Sequence, residues 1–92
     1  MSNKPTKILE DGTQIWLNSE DILHRDNDLP ARIWPDGQYD YYQNGQRHRD
    51  NGLPALICAD GYCQWWIDNQ VIEGRDCTQE EIEQFKLPYS GK

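Results

Sequence analysis

Apolar and polar residues alternate along this chain in short runs that recur with a fixed period. Three units open with an Asp-Gly pair and begin at Asp11, Asp36 and Asp60, so they are spaced by 25 and 24 residues. A period in this range is typical of stacked supersecondary units. An aromatic residue stands five positions after each opening Asp, at Trp16, Tyr41 and Trp65. Period-two alternation places these three rings on one face of successive strands, with Leu17, Tyr42 and Trp66 on the other.

Each unit has the pattern of a strand, a tight turn and a second strand. Asn44-Gly45 is a strong hairpin signal because both residues tolerate the positive φ of a type I′ turn. Asp68-Asn69 takes the same place in the third unit. A helix signal appears only near the end, where Thr78 to Glu81 form a capping box and predict a helix over 80–86. The predicted fold is therefore mainly β, with tandem β-hairpin repeats in a meandering antiparallel sheet and one short C-terminal α-helix.

This organisation predicts a single domain over 1–92. Its parts are an N-terminal lead (1–10), repeat one (11–35), repeat two (36–59), a degenerate repeat three (60–76), and a capping helix with its tail (77–92). Leu, Ile, Val and Phe make up only 17 of 92 residues and the net charge is −7, values that by themselves indicate disorder. Four Trp and five Tyr supply the missing apolar surface. Because sheet edges and aromatic surface stay uncovered, we expect a homodimer or homotetramer.

Charge and motif content exclude several classes of function. An acidic chain without a cluster of Lys and Arg is unsuited to duplex nucleic acid. The chain has no serine elbow, Gly-rich phosphate loop or HExxH motif, so we expect no enzyme and no cofactor. Its two His and three Cys lack zinc-site spacing, so we predict no metal site. Without an apolar run of membrane-span length or a signal-peptide pattern, we expect a cytoplasmic protein with no membrane partner.

One polar motif occurs twice. The residues from His24 to Ala31 and from His48 to Ala55 are identical at seven of eight positions. The simpler interpretation is a repeated turn, in which Asp and Asn bond to local backbone and each Arg pairs with a nearby carboxylate. The functional interpretation is that the repeat, or two-fold symmetry, brings Arg25 and Arg49 together. Their two guanidinium groups would then bind two phosphates.

Aromatic residues provide the second candidate feature. Part of the ring-rich set must form the core, yet the rings of the second and third units exceed what a thin core needs. Nucleobases stack on such rings. The candidate ligand-binding residues combine a polar set with three rings and are Arg25, Arg47, His48, Arg49, Asn51, Tyr39, Tyr42 and Trp66.

The repeated unit, with its Asp-Gly opening, its ring and its His-Arg-Asp-Asn-Gly-Leu-Pro-Ala run, resembles the MORN-like hairpin repeats of small phage and prophage proteins. The resemblance covers Asp11 to about Asp76, although Leu29 and Leu53 stand where the repeat usually has Gly, and the third unit lacks the basic motif. In size, aromatic content and acidity the chain is also similar to viral nucleotide-sponge proteins. That likeness implies a phage-type counter-defence (anti-CBASS) protein of the host cytoplasm that sequesters a cyclic dinucleotide, such as cGAMP, without cleaving it.

The acidic charge itself favours an alternative. A protein-directed inhibitor or antitoxin would cover a basic host enzyme or nuclease, for example by mimicking DNA. Its acidic face would be formed by six carboxylates: Asp26, Asp28, Asp36, Asp40, Asp50 and Asp60.

Overall fold

The computed structural model describes residues 4–89, which form a seven-stranded antiparallel sheet, a separate two-stranded hairpin and one helix. The nine strands are β1 (Lys7–Ile8), β2 (Gln14–Ile15), β3 (Arg32–Ile33), β4 (Tyr39–Asp40), β5 (Tyr42–Gln43), β6 (Gln46–Arg47), β7 (Leu56–Ile57), β8 (Tyr62–Ile67) and β9 (Gln70–Asp76). The helix is α1 (Gln79–Phe85). This architecture confirms the predicted mainly β fold with one short C-terminal helix. Within residues 4–89, no helix is long and apolar enough to cross a membrane.

The large sheet is a meander in the order β1-β2-β3-β4-β7-β8-β9, and β5 and β6 form the separate hairpin between β4 and β7. A two-residue turn closes that hairpin, with φ of 52° at Asn44 and 83° at Gly45. The turn between β8 and β9 has φ of 48° at Asp68 and 68° at Asn69. Positive φ at both central residues is what a type I′ turn requires, so the sequence identified both turns correctly.

The apolar core is small and lies where the sheet meets the helix. Tyr41, Ala55, Ile57, Cys63 and Ile82 form it, and rings of the neighbouring strands pack around them. Burial raises the pKa of the Cys63 thiol to about 12, so this side chain serves the core as a small neutral group. All three cysteines of the chain are free thiols.

The helix docks on this core and is capped as the sequence predicts. The backbone N–H of Glu81 donates to the Thr78 hydroxyl at 3.1 Å, and the backbone N–H of Thr78 donates to the Glu81 carboxylate at 3.0 Å. Arg75 donates two further hydrogen bonds to Glu81, and these bonds hold the pKa of that carboxyl below its ordinary value. The Phe85 ring meets Trp65 edge-on, with 5.8 Å between centroids.

A carboxylate lies at the centre of the sheet. Asp40 is fully buried and accepts hydrogen bonds at 3.0 Å from three side chains, which are those of Arg32, Trp34 and Gln38. The guanidinium of Arg47 approaches the same carboxylate to 3.6 Å. Burying a charge is costly unless it is paired and hydrogen-bonded, and this set of donors meets both conditions.

Asp40→Asn is therefore expected to lower the free energy of unfolding by about 3 kcal/mol, because it leaves two partly buried guanidinium groups short of their counter-charge. Glu83→Gln removes one negative charge from the exposed side of the helix and is the matched control. Urea unfolding followed by tryptophan fluorescence measures both variants. Equal midpoints for the two would show that the Asp40 network contributes nothing to stability.

Candidate ligand-binding cavities

The histidines of the repeated motif connect each unit to the next through hydrogen bonds. His24 Nδ1 accepts a hydrogen bond from the backbone N–H of Asn44 at 3.0 Å, and its Nε2 lies 2.8 Å from the Asp26 carboxylate. His48 makes the same two contacts, with the N–H of Asp68 at 2.9 Å and with Asp50 at 2.7 Å. Since Nδ1 is an acceptor, the ring proton lies on Nε2 and is donated to the carboxylate. This half of the motif is structural, and it ties each turn to the preceding repeat.

Arg49 is also held inside the protein. Its guanidinium lies 3.9 Å from the centroid of the Tyr41 ring and donates to the carbonyl of Pro54 at 3.2 Å. Its Nε and Nη2 atoms form a bidentate pair with Asp28, at 2.7 and 3.0 Å. Nη2 also donates to the carbonyl of Leu87 at 3.2 Å. The Arg49 side chain is only 2% exposed. Through its bonds to Asp28 and Leu87, it connects repeat two to repeat one and to the segment after the helix.

Arg25 makes the same ring and carbonyl contacts as Arg49 but has no equivalent of the Asp28 ion pair within residues 4–89. Its guanidinium lies 3.8 Å from the Trp16 ring centroid and donates to the carbonyl of Pro30 at 3.1 Å. Within residues 4–89, however, no carboxylate lies at ion-pair distance from it. Desolvation lowers the pKa of Arg25 from its ordinary value, but a guanidinium remains charged at neutral pH. Arg25 is thus a half-buried cation for which the described chain supplies no counter-charge.

Each arginine lines its own cavity. The Arg49 cavity has a volume of about 290 Å³ and the Arg25 cavity about 480 Å³. The two cavities are neighbours, because Asp26, Asn27 and Leu29 line both of them. The remaining lining residues of the Arg25 cavity are Lys4, Thr6, Trp16, Leu17, Asn18 and His24.

The two cavities differ in the charge of their lining residues. Asp28 lines the Arg49 cavity, and Lys4 lines the Arg25 cavity. The pairing of Lys7 with Ile15 corresponds to that of Arg32 with Asp40, so the strand registers align Lys4 with Leu29. The lining of the Arg25 cavity thus includes two basic residues, Lys4 and Arg25. Among the described lining residues of the Arg25 cavity the one carboxylate is Asp26, which His24 already engages.

The ring on which Arg25 stacks has a polar atom without a partner among the described residues. Trp16 is 7% exposed, and its indole Nε1 is buried without a hydrogen-bond acceptor among the described residues. The hydroxyl of Tyr41, at the equivalent position of repeat two, is in the same situation. A buried donor without an acceptor costs about 1–3 kcal/mol. Among residues 4–89, the Arg25 guanidinium has no carboxylate partner, and it stacks on a Trp16 ring whose Nε1 is enclosed without an acceptor.

The residues predicted from sequence as ligand-binding lie in four places. His48, Arg49 and Asn51 line one cavity, and Arg25 lines its neighbour. The other four are ring and cation contacts: Arg47 lies 5.3 Å from the Tyr42 centroid and 5.1 Å from that of Trp66, and Lys86 Nζ lies 4.6 Å from that of Tyr39. Each of these three rings already has a cation of this chain over it, which leaves less surface for a base.

Sequence reasoning overlooked Asp28 and Trp16 as parts of the site, and it gave Lys4 no role. One signal for Asp28 was present, because it is the position at which the two copies of the repeated motif differ, with Gly52 in the second copy. The structure shows that this one difference supplies the counter-charge of Arg49. Trp16 stands out in the sequence as a repeated ring, but neither its contact with Arg25 nor the place of Lys4 has a sequence signal, since both depend on how the lead and the first repeat fold together.

Of the two cavities, the Arg25 cavity has the lining better suited to an anion, because the Arg49 cavity is lined by Asp26, Asp28 and Asp50. No group of three or more His, Cys, Asp or Glu side chains within residues 4–89 is arranged to hold a metal ion. Comparison of the chain with protein-family models, with curated proteins and with solved structures found no match. The Arg25 cavity combines a guanidinium and a lysine, which are donors suited to phosphate or carboxylate oxygens.

The two arginines are expected to differ in what they contribute to stability. Arg49→Ala should lower the free energy of unfolding by about 3 kcal/mol, because it leaves Asp28 as an unpaired buried charge. Arg25→Ala should lower the free energy of unfolding by only about 1 kcal/mol, because it removes the packing of the arginine side chain on the Trp16 ring. Chemical denaturation of the two variants side by side measures the difference. If Arg25→Ala proves as damaging as Arg49→Ala, Arg25 has an internal role equal to that of Arg49.

Proposed function

We propose that this protein sequesters a cyclic dinucleotide without cleaving it, and that one phosphate of the ligand binds to Arg25 in the 480 Å³ cavity. The observation that carries the proposal is the contrast between two equivalent arginines. Arg49 holds the Asp28 carboxylate through two parallel hydrogen bonds, whereas Arg25 has the same ring and carbonyl contacts and no such acid within residues 4–89.

The Arg49 pair indicates which ligand chemistry suits Arg25. Asp28 offers two oxygens to the Nε and Nη2 atoms of one guanidinium edge. A phosphate offers the same pair of oxygens at similar spacing and binds to arginine in the same bidentate manner. Lys4 in the lining adds a second positive charge. A small anion experiences this local field at short range, so the net charge of −7 does not prevent binding.

The stacking of Arg25 supports a nucleotide over a simple anion. Its guanidinium lies 3.8 Å from the Trp16 ring centroid, a distance that suits stacking on one face of the guanidinium. Nucleobases stack on arginine planes as well as on aromatic rings. The cavity volume is within the usual range for sites of small molecules, and the Arg49 cavity adjoins it.

The lining also favours binding without turnover. His24 is the residue of the Arg25 cavity best suited to general-base chemistry, yet both of its ring nitrogens are engaged, by Asp26 and by the backbone of Asn44. A base whose lone pair already accepts a hydrogen bond is poorly placed to remove a proton from water or from a ribose hydroxyl. This supports a protein that holds its ligand and leaves it intact.

The alternative of an acidic inhibitor or antitoxin has weaker support. Of the six carboxylates that would form its acidic face, Asp40 is fully buried and the Asp28 side chain is only 14% exposed. Both are paired with arginines of this chain. Four acids of the set remain exposed, namely Asp26, Asp36, Asp50 and Asp60.

Isothermal titration against a panel of cyclic dinucleotides tests the proposal. We expect one member of the panel to bind, and Arg25→Gln to weaken that binding about tenfold or more, because a charge-assisted hydrogen bond contributes about 1.5–3 kcal/mol. Arg75→Gln is the matched control, since it removes the same charge from β9 at the far end of the strand order. No heat with any member, or equal affinities for the two variants, would contradict the proposal.

A further inference from the structure

The strand β9 is the most exposed element of the sheet. It is the longest strand, its seven residues are all exposed, and β8 is its one neighbour in the sheet. Val71 and Ile72 are 52% and 63% exposed, which is unusual for β-branched residues in a strand. An edge of this length is a template for pairing with another strand. At the other end of the strand order, β1 has only two residues.

The register between β8 and β9 determines which backbone groups of β9 are available. The N–H of Cys77 donates to the carbonyl of Gly61 at 2.9 Å, and Arg75 lies opposite Cys63. Hydrogen-bonded and non-hydrogen-bonded pairs alternate along an antiparallel ladder. The backbones of Arg75 and Glu73 therefore bond to β8, whereas the backbone N–H and C=O of Gly74 and Asp76 point away from it. The Asp76 carbonyl also accepts a hydrogen bond from Arg75 Nη1 at 3.4 Å.

Charge selects one way of pairing this edge with a copy of itself. An antiparallel pair that is symmetric about Gly74 places Glu73 of each copy opposite Arg75 of the other. The two side chains then form a non-hydrogen-bonded pair, in which cross-strand partners approach most closely. Within one chain Arg75 already lies 3.4 Å from Glu73 and bonds to Glu81, so the pairing brings the two ion pairs of the dimer together. Symmetry about Glu73 would instead oppose two glutamates. Gly74 itself has no side chain, and the Tyr62 hydroxyl occupies the space that a Cβ would need.

We propose that two copies of this chain associate through their β9 edges, antiparallel and symmetric about Gly74, so that the two sheets become continuous. The contact consists of one strand pair with exposed Val71 and Ile72 beside it, which is less than the area of a typical stable interface. The dimer is therefore weak and concentration-dependent. This proposal is independent of the proposed function, because Arg25 follows β2 in the first repeat and no nucleotide is needed for the strands to pair.

Sedimentation equilibrium over a micromolar concentration series, without any nucleotide, tests the proposal. The wild-type chain is expected to approach the mass of a dimer as concentration rises. In a Glu73→Arg dimer, the new arginine of each copy faces Arg75 of the other copy. Because opposed like charges are destabilising, the dissociation constant should rise by about tenfold or more. Glu83→Arg makes the same change of charge on the exposed side of α1 and should leave the equilibrium unchanged.

Mixing two variants identifies the register. Glu73→Arg and Arg75→Glu should each dimerise poorly alone, and an equimolar mixture should recover dimer because each arginine then faces a glutamate of the other chain. Circular dichroism verifies that Arg75→Glu is folded; if it is not, the Glu73→Arg and Glu83→Arg comparison decides alone. A wild-type monomer at every concentration, or an unchanged dimer in Glu73→Arg, would overturn the proposal.

Discussion

The structure depends on the requirement that a buried guanidinium have a counter-charge. Arg49 is almost fully enclosed, and Asp28 balances its charge from the preceding repeat. The same carboxylate accepts the backbone N–H of Tyr89, and the same guanidinium donates to the carbonyl of Leu87. One ion pair therefore fixes the relative positions of two repeats and the segment that follows the helix. Within residues 4–89 the same requirement is not met at Arg25, and this difference makes the Arg25 cavity a candidate site.

A chain with few aliphatic residues has to obtain its packing from other groups. Here every arginine lies over an aromatic ring, at centroid distances from 3.8 to 5.1 Å for its closest ring. Such stacks bury the apolar surface of both partners and leave the polar edge of the guanidinium for a carboxylate or carbonyl. Asp40 supplies that carboxylate on one side of the sheet, and Asp28 supplies it for Arg49.

Local features of the fold were predictable from the sequence. The turns at Asn44-Gly45 and Asp68-Asn69 follow from residues that tolerate positive φ, and the helix follows from the capping box at Thr78. The pairing of Arg49 with Asp28 joins residues 21 positions apart, so it depends on how one repeat stacks on the next. Identical motifs predicted identical roles for Arg25 and Arg49, but the roles differ because each arginine depends on what precedes it in the stack.

The arginine side-chain Nε–Hε spectrum, recorded by NMR with and without the cyclic dinucleotide that titration identifies, tests the central claim most directly. In the free protein the Arg49 signal should be protected from exchange by its bond to Asp28, whereas the Arg25 signal should exchange rapidly. On addition of ligand, the Arg25 signal should shift and become protected while that of Arg49 stays in place. An Arg25 signal that is already protected without ligand, or a ligand-induced shift at Arg49 alone, would contradict the account.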